Sequence, residues 1–456
     1  MVPTLLAEGL YHPDGQILDE VYVYGSFTQS KMYQHGVRCS DCHDSHSLKP
    51  HKEKNALCLQ CHRASDYDTR EHHFHKKMFE GKPSDGYLCV KCHMPGRSYM
   101  GIDYRPDHSL RIPRPDLSKK LATPNGCSTT DCHGDKPLDW VVGHYTKWYG
   151  ESRKPHYGEA IAAGRARQPD PPAQLTALIE DELLPGNVRA TALSLLRNYP
   201  GPATSAIIEK AIQNDDPLIR HSALQLIEQP DEETILKIIA PKLYDPVKAV
   251  RLEAALTLAA VPLEKIREDD REAFKKQLAE YRRAMEYNAD FAPQRYNLGN
   301  LERVLGNTDK ARQYYLAAIG IDDQFFPAKV NLAMEYNQAG ENKEAEQLLL
   351  EVVEQHPQMY EIAYSLGLLL SEMEKYEEAA VYLGQAADGM EHYSRAQYNY
   401  GLALLKLKRW QEGADALKKA VLQDPMVNEY FVTLVNLYLN FRMNEQARVL
   451  AEEVLE

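Results

Sequence analysis

Every cysteine in the 456-residue chain belongs to one of four pairs, and a histidine follows the second cysteine of each pair. The four motifs are Cys39-Cys42-His43, Cys58-Cys61-His62, Cys89-Cys92-His93 and Cys127-Cys132-His133. Two thiols at this spacing can add to the two vinyl groups of one haem, and the next histidine can then bind the iron. The pattern predicts four covalently bound haem c groups, with the four motif histidines as proximal iron ligands.

The spacing also bears on two other uses of cysteine. A structural zinc site would combine two cysteine pairs into one tetrahedral centre, and short disulfides would link the cysteines of each pair. Neither use requires a histidine after every pair. The fourth motif has four residues between its cysteines, Ser128 to Asp131, and we interpret it as a widened haem motif because three regular copies precede it.

The histidines predict the second ligand of each iron. Fourteen of the 17 histidines lie within residues 1–156, which leaves enough imidazoles to give every iron two. Two histidine ligands leave no open position for a substrate, so this arrangement favours electron transfer. The candidate distal ligands are His46, His72, His73, His75, His108, His144 and His156. An axial methionine remains an alternative at any one haem, for example Met32, Met78 or Met100.

The surrounding residues cannot supply a conventional apolar core for these motifs. Residues 1–156 are rich in Gly, Pro, Asp and Tyr and lack long periodic apolar runs, so we expect the porphyrins to form the core. This segment carries 21 Lys and Arg against 19 Asp and Glu, whereas the rest carries 32 against 47. No basic cluster indicates nucleic acid or a membrane surface, and no stretch of 18 apolar residues indicates a membrane span.

Two internal periods follow the motif region. Arg189-x-x-Ala192, Arg220-x-x-Ala223 and Arg251-x-x-Ala254 recur every 31 residues and resemble short HEAT-like helix pairs. Small residues then recur every 34 residues at two phases, which is typical of the tetratricopeptide repeat. These positions are Gly299, Ala333, Gly367, Gly401 and Val435, and Ala311, Ala345, Ala379, Gly413 and Ala447.

The predicted fold is mainly α, with a haem-cored multihaem domain of little regular structure followed by an α-solenoid. The predicted segments are a tetrahaem domain at 1–156, a linker at 157–171, HEAT-like repeats at 172–265, a connecting helix at 266–290 and five tetratricopeptide repeats at 291–456. Helix–turn–helix solenoids bind peptide or protein segments, so the repeats predict docking. Their tyrosines Tyr296, Tyr336, Tyr364 and Tyr398 are interpreted as packing residues.

The motif region also resembles a known family. The runs that carry the resemblance are Gly9 to His12, Asp14 to Glu20, Gly25 to Phe27, Cys39 to Asp44, Cys89 to Pro95 and Asp107 to Ser109. They are similar to bacterial multihaem cytochromes fused to HEAT-like and tetratricopeptide repeats, whose haem domain is related to ammonia-forming nitrite reductase and hydroxylamine oxidoreductase. Members of that family usually carry a further cytochrome segment upstream, so we expect an amino-terminal truncation at Met1-Val2-Pro3.

The resemblance also implies a location. No signal peptide precedes the motifs, yet covalent haem attachment normally follows export of the apoprotein. We therefore expect a periplasmic or extracellular protein whose export signal is missing from this sequence.

The functional prediction is an electron carrier that exchanges electrons with redox partner proteins, with a solenoid that docks partners or assembles copies of the chain. One alternative is a nitrogen- or sulfur-oxyanion reductase with one five-coordinate haem. The related nitrite reductases use a motif that ends in lysine, which this chain lacks; Arg97, Tyr99 and Tyr104 after the third motif are interpreted as structural. A third hypothesis is a repeat scaffold in which the haems are structural.

Overall fold

The computed structural model describes residues 4–151, 153–168, 171–227 and 230–455, and the predicted truncation point at Met1 to Pro3 lies outside them. The chain forms two compact units that divide between Leu278 and Ala279. This division falls inside the segment 266–290, which was predicted to connect the repeat types. We refer to the first unit and the second unit below.

The motif region contains short elements joined by turns. Its helices are α1 (Val23–Phe27), α2 (Lys31–Gln34), α3 (Cys39–Cys42), α4 (Asn55–Cys58), α5 (Ala64–Tyr67), α6 (Arg70–His73), α7 (Cys89–His93), α8 (Pro115–Leu121) and α9 (Leu138–Tyr149). Its strands β1 (Met78–Phe79), β2 (Lys82–Pro83), β3 (Gly96–Tyr99) and β4 (Asp103–Pro106) form two antiparallel hairpins, β1–β2 and β3–β4. Gly96 lies opposite Pro106 in the longer hairpin.

The remainder of the first unit is helical. Its helices are α10 (Tyr157–Arg165), α11 (Pro171–Glu180), α12 (Gly186–Leu195), α13 (Pro202–Ala211), α14 (Pro217–Leu224), α15 (Glu232–Thr234) and α16 (Lys248–Ala259). The division between the units falls within α17 (Glu268–Tyr287).

The predicted linker 157–171 is part of this packed structure. It contains α10, and Ile161 on that helix is fully buried. Arg165 donates hydrogen bonds to the carbonyl oxygens of Leu6 (2.6 Å) and Tyr11 (3.1 Å). Leu6 and Tyr11 also share a buried apolar cluster with Val188 of α12. The motif region and the first helical repeats therefore have one continuous core.

The arginines of the 31-residue period hold the turns between paired helices. Arg220 donates to the carbonyl oxygens of Asn214 and Asp215, and Arg251 donates to those of Asp245 and Pro246. Arg220 also forms a buried double hydrogen bond with the Asp245 carboxylate, at 2.8 and 2.9 Å. This contact joins two successive repeats.

The small residues of the same period are buried as the packing argument requires. Ala192, Ala223 and Ala254 are fully buried. The third repeat departs from a regular helix pair, because a π turn at Ile235–Ile239 leads into a 3₁₀ segment at Ala240–Tyr244. Pro241 cannot donate the backbone hydrogen bond that an uninterrupted helix needs there.

The second unit ends in five helix pairs, which confirms the predicted tetratricopeptide solenoid. Their helices are α18 (Ala292–Val304), α19 (Thr308–Ile321), α20 (Phe326–Gln338), α21 (Asn342–Gln355), α22 (Tyr360–Glu372), α23 (Tyr376–Gly389), α24 (Ser394–Lys406), α25 (Trp410–Gln423), α26 (Asn428–Asn440) and α27 (Asn444–Leu455). Pro357 and Pro425 lie in turns between pairs.

At the glycine positions of the 34-residue period, a large side chain of the second helix packs against the first helix of the pair. A Cβ on Gly299 would lie 2.5 Å from the Tyr315 ring, and a Cβ on Gly367 would lie 2.6 Å from Leu383 Cγ. Tyr315 and Leu383 are two repeats apart in sequence and are both buried. Because the first helix has no side chain at this position, the large side chain of the second helix can pack directly against it.

The four helix tyrosines are packing residues. Tyr398 is buried, and Tyr296, Tyr336 and Tyr364 pack against apolar clusters. Asn399 Nδ2 donates to Tyr364 Oη at 2.6 Å. These observations agree with the structural role predicted for the four tyrosines.

In the part of the chain that the structure describes, no helix is both long enough and apolar enough to cross a bilayer.

The solenoid packing predicts opposite effects for two glycine substitutions. Gly367→Ala should lower the free energy of opening of α22 and α23 by about 1–3 kcal/mol, because the added methyl overlaps Leu383. Gly320→Ala in α19 has open space around the new methyl and should raise local stability by up to about 1 kcal/mol through helix propensity. Amide hydrogen exchange of the corresponding peptides measures both values. Equal effects of the two substitutions would contradict this packing.

Candidate functional site

Short helical turns hold the cysteines of the predicted haem motifs. Cys39 and Cys42 are the two ends of α3, and Cys89 and Cys92 lie in α7. One helical turn brings residues three apart to the same side of the backbone. Cys127 lies in a 3₁₀ turn, Gly126–Ser128. No disulfide joins the eight cysteines in this structure.

The second and third motifs are directly connected. Asn55 Oδ1 accepts a hydrogen bond from the backbone N–H of Cys89 (2.9 Å), and its Nδ2 donates to Asp68 (2.9 Å). Asn55 is buried and begins α4, which ends at Cys58. This side chain therefore aligns two motifs that are about 30 residues apart.

Three of the four histidines predicted as proximal ligands lie close to another imidazole. The ring centres are 6.3 Å apart for His43 and His108, 6.2 Å for His93 and His72, and 6.1 Å for His133 and His75. Metal–imidazole bonds of about 2.0 Å, plus about 1.1 Å from each nitrogen to its ring centre, give about 6.2 Å for two imidazoles that share one metal. The spacing of all three pairs fits this requirement.

Hydrogen bonds orient several of these rings in the same way. Nδ1 of His43 lies 2.8 Å from the carbonyl oxygen of Leu48, Nδ1 of His93 lies 2.9 Å from that of Arg111, and Nδ1 of His108 lies 2.8 Å from that of Pro106. Nδ1 of His75 similarly bonds the carbonyl of His73. A carbonyl oxygen only accepts, so Nδ1 carries the proton and the Nε2 lone pair is free for a metal.

Burial favours the uncharged form of these imidazoles. It lowers the pKa of His93, His108 and His133 below the ordinary value for histidine. The neutral imidazole is the form that binds a metal. The spacing of all three pairs, the tautomer of four of the six rings and the lowered pKa of three of them fit a metal between the rings of each pair.

The other predicted distal ligands have different surroundings. His46 is exposed, and His144 stacks on Trp140 with ring centres 3.9 Å apart. His73 Nδ1 accepts from the backbone N–H of His75, and His156 Nδ1 accepts from that of Gly158 at the start of α10. None of these four faces a proximal histidine among the described ring contacts.

The second motif differs from the other three. His62 contacts Tyr67 at 5.5 Å, and Tyr67 in turn contacts His72 at 5.4 Å. Within the described residues, no imidazole faces His62 at the spacing of the three pairs. The predicted methionine alternatives Met78 and Met100 are exposed, at 53% and 81%.

A buried ion-pair network supports the third motif, and no sequence pattern marks its residues. Arg111 donates to the carbonyl oxygen of Asp14 (2.7 Å) and pairs with the Asp107 carboxylate (3.3 Å). Both aspartates are nearly fully buried. The carbonyl group of Arg111 accepts the Nδ1–H of His93, so the same residue orients a proximal imidazole.

A cavity of about 410 Å³ lies beside the third and fourth motifs. Arg97 and Tyr99 line it, as do the hydroxyl groups of Thr123 and Ser128, which have no hydrogen-bond partner among the described residues. Its described lining includes no motif cysteine or histidine.

The zinc alternative requires three or four protein ligands around one point. Among the residues that the structure describes, no group of three or more His, Cys, Asp or Glu side chains is arranged to hold a metal ion directly. An iron in haem needs only the two axial protein ligands that the three histidine pairs provide.

The buried network predicts a large difference between two arginine substitutions. Arg111→Met should lower the stability of the first unit by about 3–5 kcal/mol, because Asp14 and Asp107 lose their buried cation. Arg63→Met, at an ion pair whose arginine side chain is 82% exposed, should cost less than about 1 kcal/mol. Amide hydrogen exchange of first-unit peptides measures both. Adding Asp107→Asn should restore part of the loss caused by Arg111→Met; no recovery would contradict an electrostatic origin.

Comparison with known proteins identifies the repeats of the second unit. Tetratricopeptide repeat models match residues 295–325, 330–391 and 370–425. No curated protein sequence matches the chain. The matched ranges include none of the cysteine motifs, so the resemblance of residues 1–156 to multihaem cytochromes remains a prediction.

MamA and YrrB are two of the solved structures that are similar to this chain. MamA from Desulfovibrio magneticus RS-1 has 20% identity and a TM-score of 0.33, over 36% of this chain and 93% of the MamA chain. YrrB, described as a TPR protein with an unusual peptide-binding site, has 21% identity and a TM-score of 0.35, over 38% of this chain and 90% of its own. On the evidence of the family models, residues 295–325 and 330–425 are tetratricopeptide repeats.

Proposed function

We propose that residues 1–156 bind four covalent haem c groups and transfer electrons between redox partner proteins. The observation that supports this best is the spacing of 6.1–6.3 Å between three motif histidines and three further imidazoles. Covalent haem attachment also favours a periplasmic or extracellular location. The tetratricopeptide repeats provide the protein-docking part of the same chain.

The residues of each pair have defined tasks in this proposal. A bound haem supplies a one-electron couple at its iron. The two imidazoles of a pair would hold the iron of a bound haem, which would leave no iron position for a substrate and would limit ligand rearrangement when the charge of the iron changes. Their Nδ1–H bonds to carbonyl oxygens fix the ring orientation and increase ligand basicity.

The order of the sites suits transfer along the chain. His72 and His75 lie in one short segment and face the third and fourth motif histidines. Asn55 begins the helix that ends at Cys58 and accepts a hydrogen bond from the backbone N–H of Cys89, so the second and third attachment points are neighbours. Neighbouring redox centres are what a relay between two partners requires.

The second motif favours one alternative function. His62 faces a tyrosine, whereas the other three proximal histidines face imidazoles. A five-coordinate haem at this motif would suit a nitrogen- or sulfur-oxyanion reductase. A scaffold in which the haems are structural is the third hypothesis, and it agrees with the docking repeats.

A haem count and an electron paramagnetic resonance spectrum test the main proposal. The mass of the denatured full chain, produced with haem attachment, should show four haem additions, and at least three oxidised irons should be low-spin. Fewer additions would contradict the tetrahaem assignment. Four low-spin irons favour the electron carrier, whereas one high-spin iron with nitrite or hydroxylamine turnover favours the reductase. Partner binding that is independent of redox state favours the scaffold.

His108→Ala should convert one low-spin iron to high-spin without changing the number of covalent haems. The reason is that His108 supplies the imidazole opposite His43, whereas the cysteines of that motif remain intact. His35→Ala is the matched control, because this exposed histidine lies just before the first motif and should leave the spectrum unchanged. An unchanged His108→Ala spectrum would exclude His108 as a ligand.

A further inference from the structure

The segment from His72 to His75 carries two facing imidazoles but has little structure of its own. It consists of the end of the four-residue helix α6 followed by Phe74, whose φ of 57° is in the left-handed region. A bulky residue in this conformation is strained and needs support from its surroundings. The left-handed turn separates His72 from His75, so that they face different motif histidines.

That support comes from the last two residues of α9. The Trp148 ring stacks on Phe74, with ring centres 5.0 Å apart and planes within 2°. Trp148 also contacts the His75 ring edge-on at 5.7 Å. Tyr149 Oη donates a 2.6 Å hydrogen bond to the carbonyl oxygen of His72, and its ring contacts Phe74 at 5.3 Å.

We infer that Trp148 and Tyr149 are positioning residues that hold both distal imidazoles, His72 for the third haem and His75 for the fourth. This inference rests on the proposed haem function. A longer helix supplies the rigidity that α6 cannot, because α9 has 12 residues and buries Val141 and Tyr145. The two haem sites thereby share one support, and loss of that support releases two iron ligands together.

Carbon monoxide binding to the reduced protein measures this release, because the gas binds only irons that have an open axial position. Trp148→Ala in the full haem-loaded chain should increase the number of bound carbon monoxide molecules by two relative to wild type. It should also add two high-spin irons to the oxidised spectrum. Trp148→Phe keeps a ring against Phe74 and should restore the wild-type count. Trp410→Ala, at a tryptophan of the second unit, should leave the count unchanged.

Tyr149→Phe tests the positioning of His72 with a smaller change. It tests the inference on its own if Trp148→Ala does not fold. Removal of the hydroxyl group deletes only the bond to the His72 carbonyl, so carbon monoxide should bind one haem about fivefold faster. An unchanged number of bound carbon monoxide molecules in Trp148→Ala would overturn the inference. If Trp148→Ala does not fold, an unchanged rate of carbon monoxide binding in Tyr149→Phe would overturn it. A gain of one molecule would overturn the shared support.

The haem count separates this failure from failure of the proposed function. Four covalent haems with wild-type carbon monoxide behaviour in the variants would contradict only the positioning role of Trp148 and Tyr149. Fewer than four covalent haems in the wild-type chain would contradict the tetrahaem proposal itself.

Discussion

The ion pairs of Arg111 are the constraint on which the first unit most depends. Two nearly buried carboxylates, Asp14 and Asp107, would be costly without this cation, and they come from segments that are far apart in sequence. Asp107 also accepts from Ser26, and Tyr157 of α10 donates to the Asp14 carbonyl at 2.6 Å. One charge therefore joins the amino-terminal segment, the loop after β4 and the start of the helical repeats.

The two units achieve a stable interior by different means. The second unit uses side-chain packing, in which a glycine or alanine on one helix receives a large apolar residue from the next. The motif region has short elements and many exposed residues, so polar networks, facing imidazoles and, in our proposal, covalently held porphyrins order its backbone. Such a segment resembles small metal-dependent domains, in which ligand binding contributes directly to folding.

The sequence predicted the parts that depend on local spacing. The 34-residue period gave the solenoid correctly, because Gly299 and Gly367 repeat the same helix contact, and the 31-residue period placed the buried alanines. The sequence could not show that His72 and His75, and not His73, lie next to motif histidines. That arrangement depends on the left-handed turn at Phe74. Arg111 was missed because its contact with Asp14 spans 97 positions, and the segment 157–171 looked like a linker because α10 is short.

The contact between Arg220 and Asp245 has a consequence for how the first unit responds to force. Arg220 and Arg251 bond carbonyl groups in their own turns, and Arg220 also reaches the Asp245 carboxylate at the next turn. Stability in a repeat array is set by each repeat and by its interfaces with neighbours. A buried ionic link at such an interface couples the two repeats, so tension applied along the array would separate them as one block instead of peeling them apart singly.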